Sequence, residues 1–396
     1  MKKSYNVTLT ACSIGYVVQA IMNNLLPLLF VYFVTAYKIP LYLISIIIAY
    51  NFLLQILVDY FSSTLILKVG HRASTIISGA SATLGLILLS IVPNVVHGYL
   101  EIYVGLIIAV TLMAIGSGLS EVLLSPIIEA LPFENKESKM SFLHSFYALG
   151  HLIVVLVSTA YFVVFGIENW VFLALFLTIV PILEIILFTF CPIIPPAGDE
   201  GNARRRDFFK NKTFIILFTL MIAAGACEQA IAQWSSYFAE SGLKVSKTVG
   251  DLIGTSTFAF FMFLSRMLHG LSKDKVKLYT LLVICGIGLI ACYLITAISP
   301  IAVISLVAIS LCGLFCGITW PGVYSIGGNL FKTGGTVMFS MLALGGDVGC
   351  SLGPMLVGFV ASGLNMNAGI LFATIFPLIF LIGILLLRKN KNSEER

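Results

Sequence analysis

Residues 266–275 read Arg-Met-Leu-His-Gly-Leu-Ser-Lys-Asp-Lys and separate two long apolar blocks in the second half of the chain. Residues 63–72 read Ser-Thr-Leu-Ile-Leu-Lys-Val-Gly-His-Arg and occupy the corresponding place in the first half. The later copy keeps a glycine–acid–base pattern in Gly270, Asp274 and Lys275, whereas a serine and a leucine replace the glycine and the acid in the earlier copy. A loop that recurs at matching positions predicts a chain built from two similar halves.

Apolar blocks of membrane-spanning length flank both loops. The chain has 396 residues, of which 59% are hydrophobic and only 10% charged, with a mean hydropathy of +1.04. A soluble protein carries about 25% charged residues, and a membrane-spanning helix needs about 20 apolar residues. We predict helices over 8–34, 40–67, 73–95, 100–130, 138–165, 168–191, 212–240, 245–271, 276–297, 300–331, 336–362 and 366–388. Their continuous apolarity, without alternation, excludes a closed β-barrel and predicts an all-α membrane protein with twelve transmembrane helices.

A polar stretch divides these helices six and six. We assign residues 1–191 to an N-terminal six-helix bundle, 192–211 to a cytoplasmic linker and 212–396 to a C-terminal six-helix bundle. With the N-terminus inside, all lysines and arginines except Lys38, Lys244 and Lys247 fall on the cytoplasmic side. This bias places both termini in the cytoplasm. We expect a monomeric multi-pass protein, in contact with membrane lipid, in a bacterial cytoplasmic membrane.

The repeated loop, the twelve helices and their equal division resemble the major facilitator superfamily. The resemblance implies two bundles around a central cavity, with alternating access by rocking of the bundles. It also implies a gating role for Gly270 and Asp274, because a carboxylate suits the positive N-terminal end of a helix. We add Arg266 and Asp59 as gating candidates; for Asp59, near the predicted cytoplasmic end of the second helix, a salt bridge or a substrate contact is the alternative.

Glu121, on the fourth predicted helix, is the candidate proton-coupling residue. It shares a helix face with Ser117 and stands five residues before Pro126. This stretch, with Asn-Asn-Leu-Leu-Pro at residues 23–27, resembles the fucose permease group of sugar–proton symporters, in which an aspartate falls at the position of Asn23. A carboxyl group shielded from water can exchange a proton near neutral pH. The alternative is a structural carboxyl group hydrogen-bonded between helices.

Polar and aromatic side chains within the predicted helices are candidate substrate ligands, because amides and carboxyls form directional hydrogen bonds and rings supply apolar walls. These candidates are Gln19, Asn23, Asn51, Gln55, Tyr147, Glu228, Gln229, Gln233, Trp234, Trp320, Tyr324 and Asp347. Several have other interpretations. Trp234 is also placed to anchor at the membrane interface, and Trp320 to pack in the core. The stripe of Asn51 and Gln55 fits interhelical hydrogen bonding, and Asp347 fits an ion pair with Arg266.

Three further ionisable residues lie within apolar segments. Glu184 is on the sixth predicted helix, which is peripheral in the resembling fold, so we expect a structural role. His144 and His151, about two turns apart on the fifth helix, are placed either to relay protons or to form hydrogen bonds in the core.

The sequence favours proton-coupled import of a sugar or a similar small polar solute, with sodium as the alternative ion. The second hypothesis is proton-antiport export of cationic or amphipathic compounds, with Glu121, Glu228 and Asp347 receiving the cation. A transport-inactive sensor is a third, but the short loops leave no room for a signalling domain. We expect no enzymatic activity, cofactor, metal or nucleic-acid partner, because no phosphate-binding glycine loop and no metal-ligand spacing occur.

Overall fold

The computed structural model describes residues 5–133, 136–194, 208–271, 278–331 and 335–394. Within these ranges twelve helices are long and apolar enough to cross a membrane. They are α1 (Tyr5–Thr35), α2 (Leu41–Val69), α3 (His71–Val95), α4 (Tyr99–Ala130), α5 (Lys136–Phe165), α6 (Ile167–Phe190), α7 (Lys212–Gly242), α8 (Lys247–His269), α9 (Leu278–Ile298), α10 (Ala302–Gly327), α11 (Gly335–Gly363) and α12 (Met366–Lys389). This order confirms the predicted all-α membrane fold.

The chain divides into two compact units. One comprises residues 1–197 with 246–252, and the other comprises residues 198–245 with 253–396. In the first unit a core of leucines and aromatic residues joins α1, α4, α5 and α6, and it includes Leu9, Leu119, Leu123, Leu143 and Phe188. In the second unit a similar core joins α7, α9, α11 and α12, and it includes Phe214, Leu220, Leu282, Leu342 and Phe380.

The outer faces of the helices are apolar as well. Large side chains such as Val164 on α5, Phe172 and Phe190 on α6, and Val303 on α10 are exposed. A soluble protein rarely exposes apolar surface of this extent, whereas lipid tails cover it at no cost. The chain is therefore a multi-pass membrane protein whose polar residues are gathered inside each unit.

Small residues allow α7 and α11 to pack with their backbones in contact. A Cβ atom on Gly349 of α11 would collide with the backbone oxygen of Ile222 on α7, and one on Gly353 would lie 2.6 Å from the backbone oxygen of Ala226. Close approach through glycine is a common way for helices to associate in a membrane. It fixes the face of α7 that carries the polar residues Glu228, Gln229 and Gln233.

Two helices are interrupted near polar residues. A 3₁₀ turn over Leu26–Leu29 breaks α1 at Pro27. In α10 the break falls at Gly317 and Ile318, one turn before Pro321. The reason is that Pro321 has no N–H group, so the carbonyl that loses its partner belongs to Gly317, one turn back.

Candidate functional site

The amide and hydroxyl groups of α1, α2 and α4 converge on the side chain of Asn23 in the first unit. Asn51 Nδ2 and Gln55 Nε2, both on α2, donate to Asn23 Oδ1 over 3.3 and 3.2 Å. The Ser117 hydroxyl of α4 lies 3.4 Å from the same oxygen and donates to Gln55 Oε1 over 2.8 Å. All four side chains are buried. The network therefore places four uncharged polar groups at one point inside the unit.

One turn away, Gln19 and Glu121 form a second part of the network. Gln19 Nε2 donates to Glu121 Oε2 over 2.8 Å, and it joins α1 to α4. Gln19 is buried, whereas Glu121 is partly exposed. The Gln19 Oε1 atom is also buried and has no hydrogen-bond partner among the described residues. The Glu121 carboxyl group, at the edge of the network, is thus held by the Gln19 amide, whose Oε1 atom can still accept a hydrogen bond.

The four-residue spacing of the sequence explains this convergence. Gln19 and Asn23 on α1, Asn51 and Gln55 on α2, and Ser117 and Glu121 on α4 are three such pairs, and each pair shares a helix face. From the opposite side, α3 supports α4, because the Ser78 hydroxyl donates to the Gly116 carbonyl over 2.7 Å and contacts the Ser120 hydroxyl at 2.8 Å. The polar face of α4 is therefore turned toward α1 and α2.

The predicted site residues of α5 lie along the same helix α1. Tyr147 is partly buried, and its hydroxyl lies 3.5 Å from Asn24 Nδ2. The exposed His144 ring stacks at a tilt on Tyr16, with ring centroids 5.2 Å apart. His151 is 2% exposed. The described contacts thus place Tyr147 beside the amides of α1.

Asp59 lies one turn beyond Gln55 on α2, at a partly buried position. It continues the polar stripe of that helix away from Asn23. Its gating role stays a prediction.

The second unit contains a separate polar cluster in which Arg266 of α8 is the central residue. Arg266 Nη2 forms an ion pair with Glu228 Oε2 of α7 at 3.1 Å. Its Nε atom donates over 3.1 Å to the Gly317 carbonyl, the group that Pro321 leaves without an intrahelical donor. Arg266 thus stabilises both the buried carboxylate and the break in α10.

Two glutamines extend this cluster along α7. Gln229 Nε2 lies 3.4 Å from Glu228 Oε1, and Gln233 Nε2 donates to Gln229 Oε1 over 2.9 Å. Both glutamines are buried. The predicted polar face of α7 is therefore a hydrogen-bonded row that begins at the Glu228–Arg266 ion pair.

The aromatic candidates of the second unit serve packing in this conformation. Trp234 is fully buried, and its Nε1 atom donates to the Pro354 carbonyl of α11 over 2.9 Å. Trp320 is partly buried and covers Gly346, where a Cβ atom would collide with the indole ring. The ring of Tyr324 lies 6.2 Å from that of Trp320. Asp347 follows directly after Gly346 and is 3% exposed.

The repeated loop of the second half is only partly described. Gly270 lies in the last turn of the helix that ends at Leu271. Asp274, with its predicted latch role, lies outside the described residues. Both gating assignments stay predictions.

Two buried carboxyl groups were not assigned to the site from the sequence. Asp251 is fully buried, pairs with Lys247 Nζ at 3.0 Å and accepts from the Thr159 hydroxyl at 3.4 Å. The four-residue spacing of Lys247 and Asp251 is the signal that could have found this pair. Glu184 on α6 is also fully buried, although the sequence placed it on a peripheral helix. The burial of every third or fourth residue, Pro181, Glu184 and Phe188, shows that this face of α6 points inward.

Among the described residues, no three histidine, cysteine, aspartate or glutamate side chains are grouped so that they could hold a metal ion. The cluster of the first unit contains amides, a hydroxyl and the Glu121 carboxyl group, and that of the second unit contains two amides and the Glu228–Arg266 ion pair. Amides and hydroxyls bind uncharged polar molecules by hydrogen bonds, and a carboxylate can take up a proton.

The family model of the Major Facilitator Superfamily matches residues 12–341. The chain belongs to the major facilitator superfamily. It is therefore a membrane transporter, and the resemblance seen in the repeated loop is confirmed. A comparison with curated proteins found no significant match.

Solved structures similar to this superfamily member include two of the FucP transporter. One is the Escherichia coli fucose:proton symporter FucP with an asparagine-to-alanine substitution, at 15% identity and a TM-score of 0.68. The other is FucP in the outward conformation, at 14% identity and the same TM-score of 0.68. Each comparison covers 97% of this chain and 99% of the other. At this identity the likeness shows a common fold.

Proposed function

We propose that this superfamily member is a proton-coupled importer of a sugar or a similar small polar solute. The observation that carries the proposal is the position of Glu121, a partly exposed carboxyl group whose described hydrogen bond comes from Gln19 Nε2 at 2.8 Å. The network one turn away, on α1, α2 and α4, consists of amides and a hydroxyl. A carboxyl group held by a neutral amide is suited to bind and release a proton.

The Gln19 side chain can accommodate both protonation states of Glu121. Its Nε2 donates to an ionised carboxylate, as observed, and its Oε1 can accept from a protonated acid after rotation of the amide. This Oε1 has no hydrogen-bond partner among the described residues. Rotation therefore breaks no other described contact at that oxygen. We infer that the Gln19 amide rotates when Glu121 gains or loses its proton.

The chemistry of the network supports this solute class. Asn23, Asn51, Gln55 and Ser117 supply donors and acceptors but no charge, and they are matched to hydroxyl groups. A buried polar group left without a partner costs about 1–3 kcal/mol. A solute that exchanges hydrogen bonds with these amides is therefore favoured over an apolar one. The coupling ion is a proton in this proposal, with sodium as the alternative.

One observation disfavours export of cationic compounds, the second hypothesis. Glu228, a candidate cation receptor in that hypothesis, already forms an ion pair with Arg266 at 3.1 Å. Removal of that arginine would leave both a carboxylate and the Gly317 carbonyl without their described partner. The carboxylate is thus neutralised from within the protein, whereas a cation receptor requires a carboxylate open to its ligand.

The direct test is uptake by purified protein in proteoliposomes under an imposed pH gradient, with labelled L-fucose and a panel of other neutral monosaccharides. We expect accumulation of at least one sugar above its external concentration, and collapse of that accumulation when a protonophore is added. Accumulation driven by a sodium gradient alone would identify sodium, and not the proton, as the coupling ion. Uptake of none of the sugars, with proton-driven efflux of a cationic dye, would refute the importer proposal.

A further inference from the structure

Glu184 is a buried carboxyl group that the proposed coupling site does not use. Its side chain is fully buried in the first unit, and neither carboxyl oxygen has a hydrogen-bond partner among the described residues. An ionised carboxylate without a partner in an apolar interior costs several kcal/mol. In this conformation we therefore treat Glu184 as a neutral acid, with its proton bound.

The carboxyl group of Glu184 lies between α1 and α4, where glycine makes room for it. A Cβ atom on Gly15 of α1 would lie 2.9 Å from Glu184 Oε1 and 2.8 Å from Leu124 Cδ1 of α4. Gly15 precedes Gln19 by one helical turn, and Leu124 follows Glu121 by three residues. Four residues of α-helix rise about 6 Å. Glu184 is therefore separated from the Gln19–Glu121 pair by about one turn, a gap that a short chain of waters can span.

The other ionisable groups near Glu184 leave it without a described counter-charge. Cys12 of α1 is close enough to interact electrostatically with both Glu184 and Cys191. Burial raises the pKa of the Cys191 thiol, so this group is neutral at physiological pH. The Arg72 guanidinium of α3 donates to the carbonyls of Phe188, Thr189 and Cys191 at the end of α6, over 2.6, 2.5 and 2.8 Å.

These groups form a column along one face of α1. Cys12, Gly15, Gln19 and Asn23 follow one another at three- and four-residue intervals, which keeps them on one side of the helix. The Glu184 side chain lies beside Gly15, the Glu121 side chain contacts Gln19, and the amide network surrounds Asn23. The two carboxyl groups therefore lie one after the other along the axis of α1, with Glu184 nearer the start of that helix.

We propose that Glu184 is a second proton-binding site, which receives the proton that Glu121 releases and passes it toward the start of α1. This inference rests on the proposed proton coupling at Glu121. Glu184 first loses its own proton to water that enters at the start of α1. The O–H bond at Glu121 then breaks as an O–H bond forms at Glu184, through water between them. One proton moves per cycle, and no redox partner is needed.

Infrared difference spectroscopy of the purified protein tests the protonation step without a solute. Spectra recorded across a pH series detect the carbonyl stretch of each protonated carboxyl group that is lost as the pH rises. We expect Glu184→Gln to remove one such band and Glu121→Gln to remove another. Glu184→Asp keeps an acid at the site and should restore a shifted band. Glu168→Gln, an exposed position at the start of the same helix, is the matched control and should leave the bands of Glu184 and Glu121 unchanged.

Transport in proteoliposomes, with the labelled monosaccharide that the wild type accumulates, tests the relay. We expect Glu184→Gln to retain exchange of internal for external sugar and to lose proton-driven accumulation, and Glu184→Asp to recover part of it. The inference is overturned if Glu184→Gln gives the wild-type infrared series, or if it accumulates sugar with the wild-type pH profile. If no sugar is accumulated even by the wild type, the uptake proposal has failed, while the infrared series still decides whether Glu184 exchanges a proton.

Discussion

Asn23 is the residue at which the polar network of the first unit meets. Two amide donors, from Asn51 and Gln55, point at its Oδ1 atom, and the Ser117 hydroxyl lies near the same oxygen. An oxygen that receives several donors is an environment that suits a carboxylate at least as well as an amide. The fucose permease group, which this part of the chain resembles, has an aspartate at that position.

We therefore predict that Asn23→Asp folds with wild-type stability, because the carboxylate accepts the same hydrogen bonds. Asn23→Leu should instead be destabilised by about 1–3 kcal/mol, since it leaves buried amide donors without an acceptor. Thermal unfolding of the purified variants in detergent measures the difference. Equal melting temperatures for the leucine and aspartate variants would show that the Asn23 oxygen does not hold the network together.

The Glu228–Arg266 ion pair gives a second prediction at the same scale. Arg266→Met should cost about 3–5 kcal/mol, because an unpaired carboxylate remains in the interior. The double variant Arg266→Met with Glu228→Leu should recover most of that loss, since both charges are removed together. Unfolding in denaturing detergent provides the comparison. A double variant that is less stable than the single one would contradict the assignment of Glu228 as the main partner of Arg266.

Sequence reasoning found most of the polar residues at this scale but not their partners. The four-residue spacing on α1, α2, α4 and α7 is visible in the sequence, and the structure brings those faces together within each unit. The sequence offered Asp347 as a partner of Arg266, whereas the described ion pair is with Glu228. This pairing was not visible, because it depends on the rotation of α7 and α11. That rotation is set by close contacts such as Gly349 on Ile222.

Among the helices, α11 shows most clearly how packing positions the polar residues. Its glycines contact the backbone of α7, and Gly346 lies under the ring of Trp320. The break in α10 has a similar local cause, since Pro321 frees the Gly317 carbonyl and Arg266 occupies it.

We predict that Gly349→Ala destabilises the protein by about 1–3 kcal/mol, because the added methyl group meets backbone atoms of α7 that cannot rotate away. Gly363→Ala, at the end of the same helix, is the matched control, since nothing lies within 4 Å of its Cβ position. This control should be neutral or slightly stabilising, because alanine favours helix over glycine. Thermal unfolding compares the stability of the two variants. Similar melting temperatures would rule out tight α7–α11 packing at Gly349.

For the molecule as a whole, composition and apolar block length predicted the twelve helices, and the repeated loop and the six-and-six division then indicated the superfamily fold. Long apolar segments leave few alternatives in a membrane, because every backbone group must be bonded within the segment. The orientation of the inward face of α6, which buries Glu184, was beyond sequence reasoning. A helix that is apolar all round gives no periodic signal for its buried side.

The predicted orientation of the chain is tested by cysteine labelling in intact cells. The eight native cysteines are all buried, so the background should be low. With both termini in the cytoplasm, His97→Cys in the α3–α4 connection should react with a membrane-impermeant maleimide from outside. Lys212→Cys, at the start of α7, should react only after the cells are permeabilised. The reverse pattern would place both termini outside.

The most direct test of the account is proton-driven sugar accumulation by Glu121→Gln in proteoliposomes. Glu101→Gln is the control, since Glu101 is exposed at the start of the same helix. Glutamine keeps the shape of Glu121 and a hydrogen bond with Gln19 but cannot bind and release a proton. We predict that Glu121→Gln loses accumulation under a pH gradient while it still exchanges internal for external sugar, and that Glu101→Gln behaves as the wild type. Full accumulation by Glu121→Gln would contradict the proposed role of this carboxyl group.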